Sequence, residues 1–413
     1  MTDTTLNQTP RGSRLHIAIF GRRNAGKSSL INALTNQQIA IVSDIPGTTT
    51  DPVYKSMEIL PIGPVVIIDT GGIDDIGELG KLRIEKALDV LKKTDLMLLV
   101  IDPAEGFGQF ETEILEKARE SKAAPIMVIN KTDQYPEFTV NSDIVKLDIP
   151  IVNVSAVTRQ GIDELKMAMI GQAPKDFMDA TLLGDLISAG DIVVLVVPID
   201  TAAPKGRIIL PQVQAIRDIL DHDAIACVVK ENRLKEALAN LKEKPRLVVT
   251  DSQAFKKVAA ETPQDVLLTS FSILLARHKG DLATLVEGAK AVKHLSPGDK
   301  VLVSEACTHH RMEDDIGTVK IPRWLNEIVG GPLDYSWVSG LELPKDLSQY
   351  KLIIHCGACM INRKEMLHRI MVAQRAGIPI VNYGVLIAYV VGILDRTLRP
   401  FPEARQVLDN GEK

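Results

Sequence analysis

The sequence predicts an α/β protein of three domains, the first built on a mainly parallel sheet and followed by two smaller α/β domains. Three observations carry this. Short apolar runs rich in β-branched residues alternate with helical patterns along nearly the whole chain, as in strand–helix–strand units that close into parallel sheets. The length of 413 residues suits about three domains of ordinary size. Hydrophobic residues at 45% and charged residues at 24% give the balance of a globular chain able to bury cores.

In the first third, strands are expected at 15–20, 65–69, 96–101, 126–130 and 151–154. Helices should begin at Lys27 and near Leu79, Gln109 and Gly161. A loop around 172–175 marks a boundary, so 1–12 reads as a polar disordered lead and 13–173 as the first domain. The second domain is placed at 174–263 and the third at 264–413. In the second, 192–198, 224–229 and 247–250 look like buried strands, with helices near 212–220, 233–242 and 253–260. It carries no catalytic motif and reads as a self-associating module, hence a homodimer. Cys227, inside the run AIACVV, reads as a small buried residue. After Thr262 two helical stretches lead to strands at 300–304, 351–355 and 378–382.

Net charge is −5 and the pI about 6.0. No broad basic surface follows, which argues against nucleic acid or an anionic membrane as partner. The longest apolar stretch, 378–394, is interrupted by Pro379, Asn382 and Gly384. It is too short and broken to span a bilayer and reads as a buried strand followed by a buried helix. The polar N-terminus lacks a signal-peptide run, so a cytoplasmic protein is expected. Four cysteines make no disulfide framework in a chain this long. Three of them crowd the last third, where they read as metal ligands or redox groups.

GRRNAGKSS at 21–29 fits a phosphate-binding loop between a strand and a helix. Gly21 and Gly26 would let the backbone wrap the phosphates, with Ala25 beside them in the binding loop. Amides and the helix N-terminus direct partial positive charge at them. Lys27 would reach the β- and γ-phosphates and Ser28 would ligate Mg²⁺, with Ser29 beside it. NKTD at 130–133 specifies guanine. Asp133 can accept from N1–H and the exocyclic amine, which adenine lacks. Asn130 and Lys131 frame that loop, and Ser155 with Ala156 would complete the base pocket. DTGG at 69–72 places Asp69 on the Mg²⁺ water shell and the Gly72 amide on the γ-phosphate. PGTTTDP at 46–52 supplies Thr49, which closes over Mg²⁺. Five motifs in order, each at a strand end, identify a site that binds and hydrolyses GTP. Its details resemble the Era and TrmE branch of GTPases. That resemblance assigns the metal contact to Thr49 and suggests that Asn24 coordinates K⁺. Thr50 stands where TrmE-like proteins commonly carry arginine. Ile73 follows Gly72 where Ras-type enzymes place a water-orienting glutamine, so basal turnover should be slow.

ACTHHR at 306–311 and HCGAC at 355–359 each follow a predicted strand. If those strands are parallel, both groups emerge at the carboxyl edge of one sheet, where open α/β sheets gather ligands. Chemistry leaves two metals open: three cysteines and a histidine suit tetrahedral zinc, and three cysteines with a replaceable fourth ligand suit a 4Fe-4S cluster. Set behind an Era/TrmE-like GTPase domain, this ligand pattern resembles the HydF family of FeFe-hydrogenase maturation GTPases. So does GTTTDPVYK at 47–55. The resemblance spans the whole chain. It implies that Cys307, Cys356 and Cys359 hold a 4Fe-4S cluster, with His309 or His355 as a conditional fourth ligand and His310 as a bystander. It further implies a scaffold that carries the two-iron precursor of the hydrogenase active site. Its partners would be apo-FeFe-hydrogenase and two radical-SAM maturases. One rival is a ribosome-assembly or tRNA-modifying GTPase with a C-terminal zinc module, though no basic KH-like Gly-x-x-Gly loop is seen. Another is a redox sensor using Cys356 and Cys359 as a dithiol pair.

Overall fold

The computed structural model describes residues 11–35, 52–60, 62–71, 89–138, 147–174, 181–198, 208–306, 315–340, 343–344 and 346–410. They form two compact units, Ser13–Ala180 and Met1–Gly12 together with Thr181–Lys413.

The first unit is a six-stranded sheet in the order β2-β3-β1-β4-β5-β6. Its strands are β1 (Leu15–Phe20), β2 (Val53–Ile59), β3 (Gly63–Asp69), β4 (Leu96–Ile101), β5 (Ala124–Ile129) and β6 (Ile151–Asn153). β1 and β4 are buried at every position, and strand alternation sends their side chains into two cores. Leu15, Ile17, Ile19, Leu96, Leu98 and Val100 enter one core. Ala18, Phe20, Met97, Leu99 and Ile101 enter the other. Helices α1 (Lys27–Thr35) and α3 (Ile162–Gln172) contribute to the first layer, and α2 (Gln109–Glu120) to the second. All pairings are parallel except β2 with β3. Sequence patterning passed over β2 because it is a half-exposed edge strand carrying Lys55, Ser56 and Glu58. The helix expected near Leu79 lies outside the described residues.

The second unit holds two four-stranded parallel sheets. One runs β10-β9-β7-β8, from β7 (Ile192–Val196), β8 (Ile225–Val229), β9 (Leu247–Thr250) and β10 (Leu267–Ser270). Helices α4 (Leu210–Asp221), α5 (Leu234–Asn240), α6 (Phe255–Glu261), α7 (Phe271–Lys279) and α8 (Leu282–Lys290) accompany it. This sheet extends past Thr262 to take in β10, a four-residue strand too short to leave a period. Cys227 lies on the edge strand β8 and is half-buried rather than enclosed.

The other sheet runs β12-β11-β13-β14. It comprises β11 (Lys300–Glu305), β12 (Asp334–Ser339), β13 (Leu352–His355) and β14 (Ile380–Asn382), with α9 (Ile321–Val329), α10 (Arg363–Arg375), α11 (Tyr383–Val390), α12 (Leu394–Leu398) and α13 (Pro402–Asp409). A shared core joins both sheets. Close packing between them depends on Gly288 of α8, where a Cβ would stand 1.9 Å from the Ile380 carbonyl oxygen. The apolar stretch at 378–394 divides into β14 and α11, a buried strand then a mostly buried helix. Among the described residues, no helix is long and apolar enough to cross a membrane.

Candidate functional site

The phosphate loop leaves the carboxyl end of β1 and enters α1. Gly21 passes so close to β4 that a Cβ would meet the Val100 carbonyl at 2.4 Å. Asn24 is exposed and takes a left-handed conformation (φ 60°), which asparagine tolerates better than most side chains. The Lys27 ammonium is buried over the loop and donates to the Gly21 carbonyl (2.9 Å) and the Arg22 carbonyl (2.7 Å). Ser28 and Ser29 lie in the first turn of α1, both half-buried. Asp69 ends β3 opposite Ile19, beside the start of the phosphate loop. Its carboxylate accepts from the Gly71 amide (3.1 Å), and the Thr70 hydroxyl donates to the Ile19 carbonyl (2.8 Å).

Asn130 joins three motifs. Its side-chain amide donates to the Ala25 carbonyl (2.9 Å), and its oxygen accepts from the Ala156 amide (3.1 Å). Gly26 permits this approach, because a Cβ there would lie 2.2 Å from the Asn130 amide nitrogen. Lys131 (φ 61°) pairs with Asp102 at 2.6 Å. Asp133 is exposed, available to a base. Ser155 is fully buried, its hydroxyl accepting from the Thr158 amide (3.1 Å). Thr49, Thr50, Gly72 and Ile73 lie outside the described residues.

Sequence reasoning missed the supports of this site. The Arg22 guanidinium makes a two-point pair with Glu111 (2.8 and 3.0 Å). Glu111 is buried and also accepts from the Gly108 amide (2.8 Å). Arg159 reaches back to the Ala33 carbonyl (3.0 Å). Glu111 three residues after Gly108, at the start of α2, was the available signal, but it marks a helix start and does not reveal Arg22.

Cys356 and Cys359, the described cysteines of the candidate metal site, lie at the carboxyl edge of the third sheet. β11 and β13 are parallel, with Ser304 opposite His355. Cys356 therefore follows β13 directly beside the end of β11. Its amide donates to the Ser304 carbonyl (3.0 Å), and the Ala306 amide donates to its Sγ (3.2 Å). Cys356 is buried and Cys359 half-buried, on a turn that uses a left-handed Ala358 (φ 56°). Cys307, His309 and His310 lie outside the described residues; among the described residues, no group of three or more His, Cys, Asp or Glu sits close enough to hold a metal.

His355, expected as a conditional fourth ligand, is held by other partners. Its ring is fully buried, Nδ1 donating to the Cys356 carbonyl (2.8 Å) and Nε2 accepting from Arg369 (2.8 Å). Both nitrogens are engaged, so neither is free to serve as a fourth ligand in this conformation. Arg369 is itself buried and also donates to Glu365 (3.2 Å), the Ser304 hydroxyl (3.4 Å) and the Gly340 carbonyl (2.8 Å). Lys279 of α7, unmarked in the sequence, donates to the Ala358, Cys359 and Ile361 carbonyls. Burial pushes its ammonium down to about 8, against the raising effect of the Cys359 and Cys356 thiols. An amide donor at sulfur and a cation on the same loop suit sulfur that ligates a metal. The described residues thus fit a thiolate-held metal group.

Residues 16–131 match the 50S ribosome-binding GTPase family. Residues 182–280 match the hydrogen maturase F dimerization domain, and 283–400 its tetramerization domain. The tRNA modification GTPase MnmE of Bacillus pumilus is 38% identical over 160 residues, covering 38% of this chain and 34% of the relative. GTPase Der of Xanthomonas oryzae is 37% identical over 163 residues, covering 39% and 35%. The chain thus spans about a third of the length of these curated relatives. Among solved structures, Era of Aquifex aeolicus aligns with a TM-score of 0.34 at 22% identity, covering 54% of this chain and 97% of that one. The N-terminal domain is a GTPase domain, for which GTP and Mg²⁺ are the ligands, and the two domains behind it are oligomerization domains. A GTPase domain followed on one chain by these two matches gives the protein the domain architecture of the hydrogen maturase F family.

Proposed function

We propose that the chain is a GTP-hydrolysing scaffold holding a 4Fe-4S cluster on Cys307, Cys356 and Cys359. Its cargo is the two-iron precursor of the FeFe-hydrogenase active site, received from two radical-SAM maturases and delivered to apo-hydrogenase. The observation that supports this most is the hydrogen bond from the Ala306 amide to Cys356 Sγ. It sets the residue preceding Cys307 against the first cysteine of the second ligand group. When bound, the cluster would supply an iron with one replaceable position through which cargo is held and released.

In the nucleotide site, Lys27 would neutralise the β- and γ-phosphates while Ser28 and Thr49 would hold Mg²⁺. Asp69 would order the metal's water shell, the Gly72 amide would meet the γ-phosphate, and Asp133 would read guanine. Asn130 keeps phosphate loop and base loop in register. Ordering of the segments around Thr49 and Gly72 by GTP would alter a docking surface. With isoleucine at 73, turnover is slow, as befits a switch. Asn24 is the candidate K⁺ ligand; equal GTPase rates in K⁺ and Na⁺ buffers would remove that assignment. The chain works as a homodimer in the cytoplasm.

The deciding experiment is EPR of anaerobically reconstituted, reduced protein beside a Cys356→Ser variant. A fast-relaxing S = 1/2 signal that the variant loses is expected. A silent spectrum with about one tightly bound zinc per chain would overturn the reading and favour an RNA-linked GTPase with a zinc module.

A further inference from the structure

Lys279 has no part in the function above, yet its setting is unusual. It is the last residue of α7 and is only 2% exposed. A lysine at a helix end ordinarily extends its ammonium into water. Here the ammonium turns inward and donates to three carbonyls of a single loop, those of Ala358 (3.1 Å), Cys359 (3.0 Å) and Ile361 (2.9 Å). Three N–H bonds meet three acceptors, so the donor capacity is filled. Carbonyls satisfy hydrogen bonds but do not neutralise a charge, and a buried cation is costly without a compensating anion. When ionised, the sulfurs of Cys359 and Cys356 favour its charge. Nearby, Arg363 fastens the end of the same helix by donating to the His278 carbonyl (2.7 Å). Gly12 packs against the loop from the other chain segment of this unit, where a Cβ would lie 2.5 Å from the Ile361 carbonyl and 3.0 Å from Lys279 Nζ.

We propose that Lys279 is a positioning residue for the metal group bound by Cys356 and Cys359. Its ammonium ties three carbonyls of the cysteine loop into one conformation and brings a positive charge to that loop. That charge offsets the negative charge gained when the bound group accepts an electron from an external one-electron donor, so reduction is favoured. The inference rests on the iron–sulfur reading of the site and extends it to a residue outside the ligand set.

The test compares full-length reconstituted protein with Lys279→Gln and Lys279→Met. Gln keeps amide donors without the charge, and Met keeps volume without either. Thermal unfolding by circular dichroism first establishes which variants fold. EPR-monitored redox titration and the rate of iron release to a chelator are then measured. At the potential where the unsubstituted protein is half reduced, Lys279→Gln should show a reduced fraction at least about threefold smaller. Lys279→Met should show the same shift and also release iron about fivefold faster or more, since the carbonyl ties are gone. A folded Lys279→Gln protein with an unchanged titration curve would overturn the inference alone. Failure of both variants to fold would make Lys279 a folding residue and overturn it too. No cluster signal in the unsubstituted protein would overturn the iron–sulfur reading itself, and this inference with it.

Discussion

Asn130 shows how one side chain can hold a site that sequence motifs describe only piecewise. Its amide spans from Ala25 to Ala156, so Asn130→Ala would orphan a buried carbonyl and an amide together. Each such loss costs about 1–3 kcal/mol, and GTP affinity measured by fluorescent-nucleotide titration should fall roughly 10- to 100-fold. Unchanged affinity would mean the loops hold their places without it. His278 gives a pH-dependent expectation. Burial holds its pKa below the usual value, and Lys279 and Arg363 push the same way. The unfolded chain therefore takes up this proton first as pH falls, so stability declines from about pH 6.5 downward to the folded-state pKa. Urea unfolding at pH 7.5 and 5.5 should show that loss, reduced in His278→Gln. The candidate nucleotide motifs could be read because each follows a strand. Arg22–Glu111, Lys131–Asp102 and Lys279 could not, because their partners lie far away in sequence and leave no local pattern.

At the level of elements, legibility followed burial. β1, β4 and β9 stand at the bounds read from their apolar runs, whereas β2 and β12 were missed. Both are edge strands with partly exposed, mixed side chains, so neither a continuous apolar run nor a clean alternation marks them. The parallel β11–β13 pair was the conditional step in reading the thiolate site, and its register places Ser304 opposite His355. The His355 ring could not be read that way, since its partner Arg369 comes from α10. The edge strand β8 supports a prediction about assembly. It exposes Ile225 (53%) and Val228 (46%) on the rim of the sheet within the dimerization domain. Unpaired, apolar strand edges invite pairing with another chain. Val228→Lys should shift sedimentation toward a smaller species at micromolar protein without changing GTP turnover. A variant that sediments like the unsubstituted protein would place the dimer contact elsewhere.

The whole molecule divides its labour between two separately cored units. One carries the two layers around the six-stranded sheet, and the other the extended core shared by the remaining sheets. Every described candidate nucleotide residue lies in the first, and the candidate ligands Cys356 and Cys359 in the second. Two cooperative units need not melt together, and a ligand stabilises the unit whose folded state it binds. Saturating Mg²⁺ and a non-hydrolysable GTP analogue at about 100 times the dissociation constant should add about 2.7 kcal/mol to the first unit. In scanning calorimetry this raises one transition and leaves the other in place. Joint movement of both would instead measure a coupling free energy between nucleotide and cysteine units, and by reciprocity metal loading would then change GTP affinity by the same factor. Cys356→Ser supplies the control, because it alters the second unit without touching the nucleotide site. If the second transition moves with nucleotide in both proteins, GTP acts on the fold of that unit. Movement only in the unsubstituted, loaded protein would mean that GTP acts through the bound metal group. A stationary second transition leaves GTP to work through the surface of its own unit, the route expected for a switch that selects docking partners.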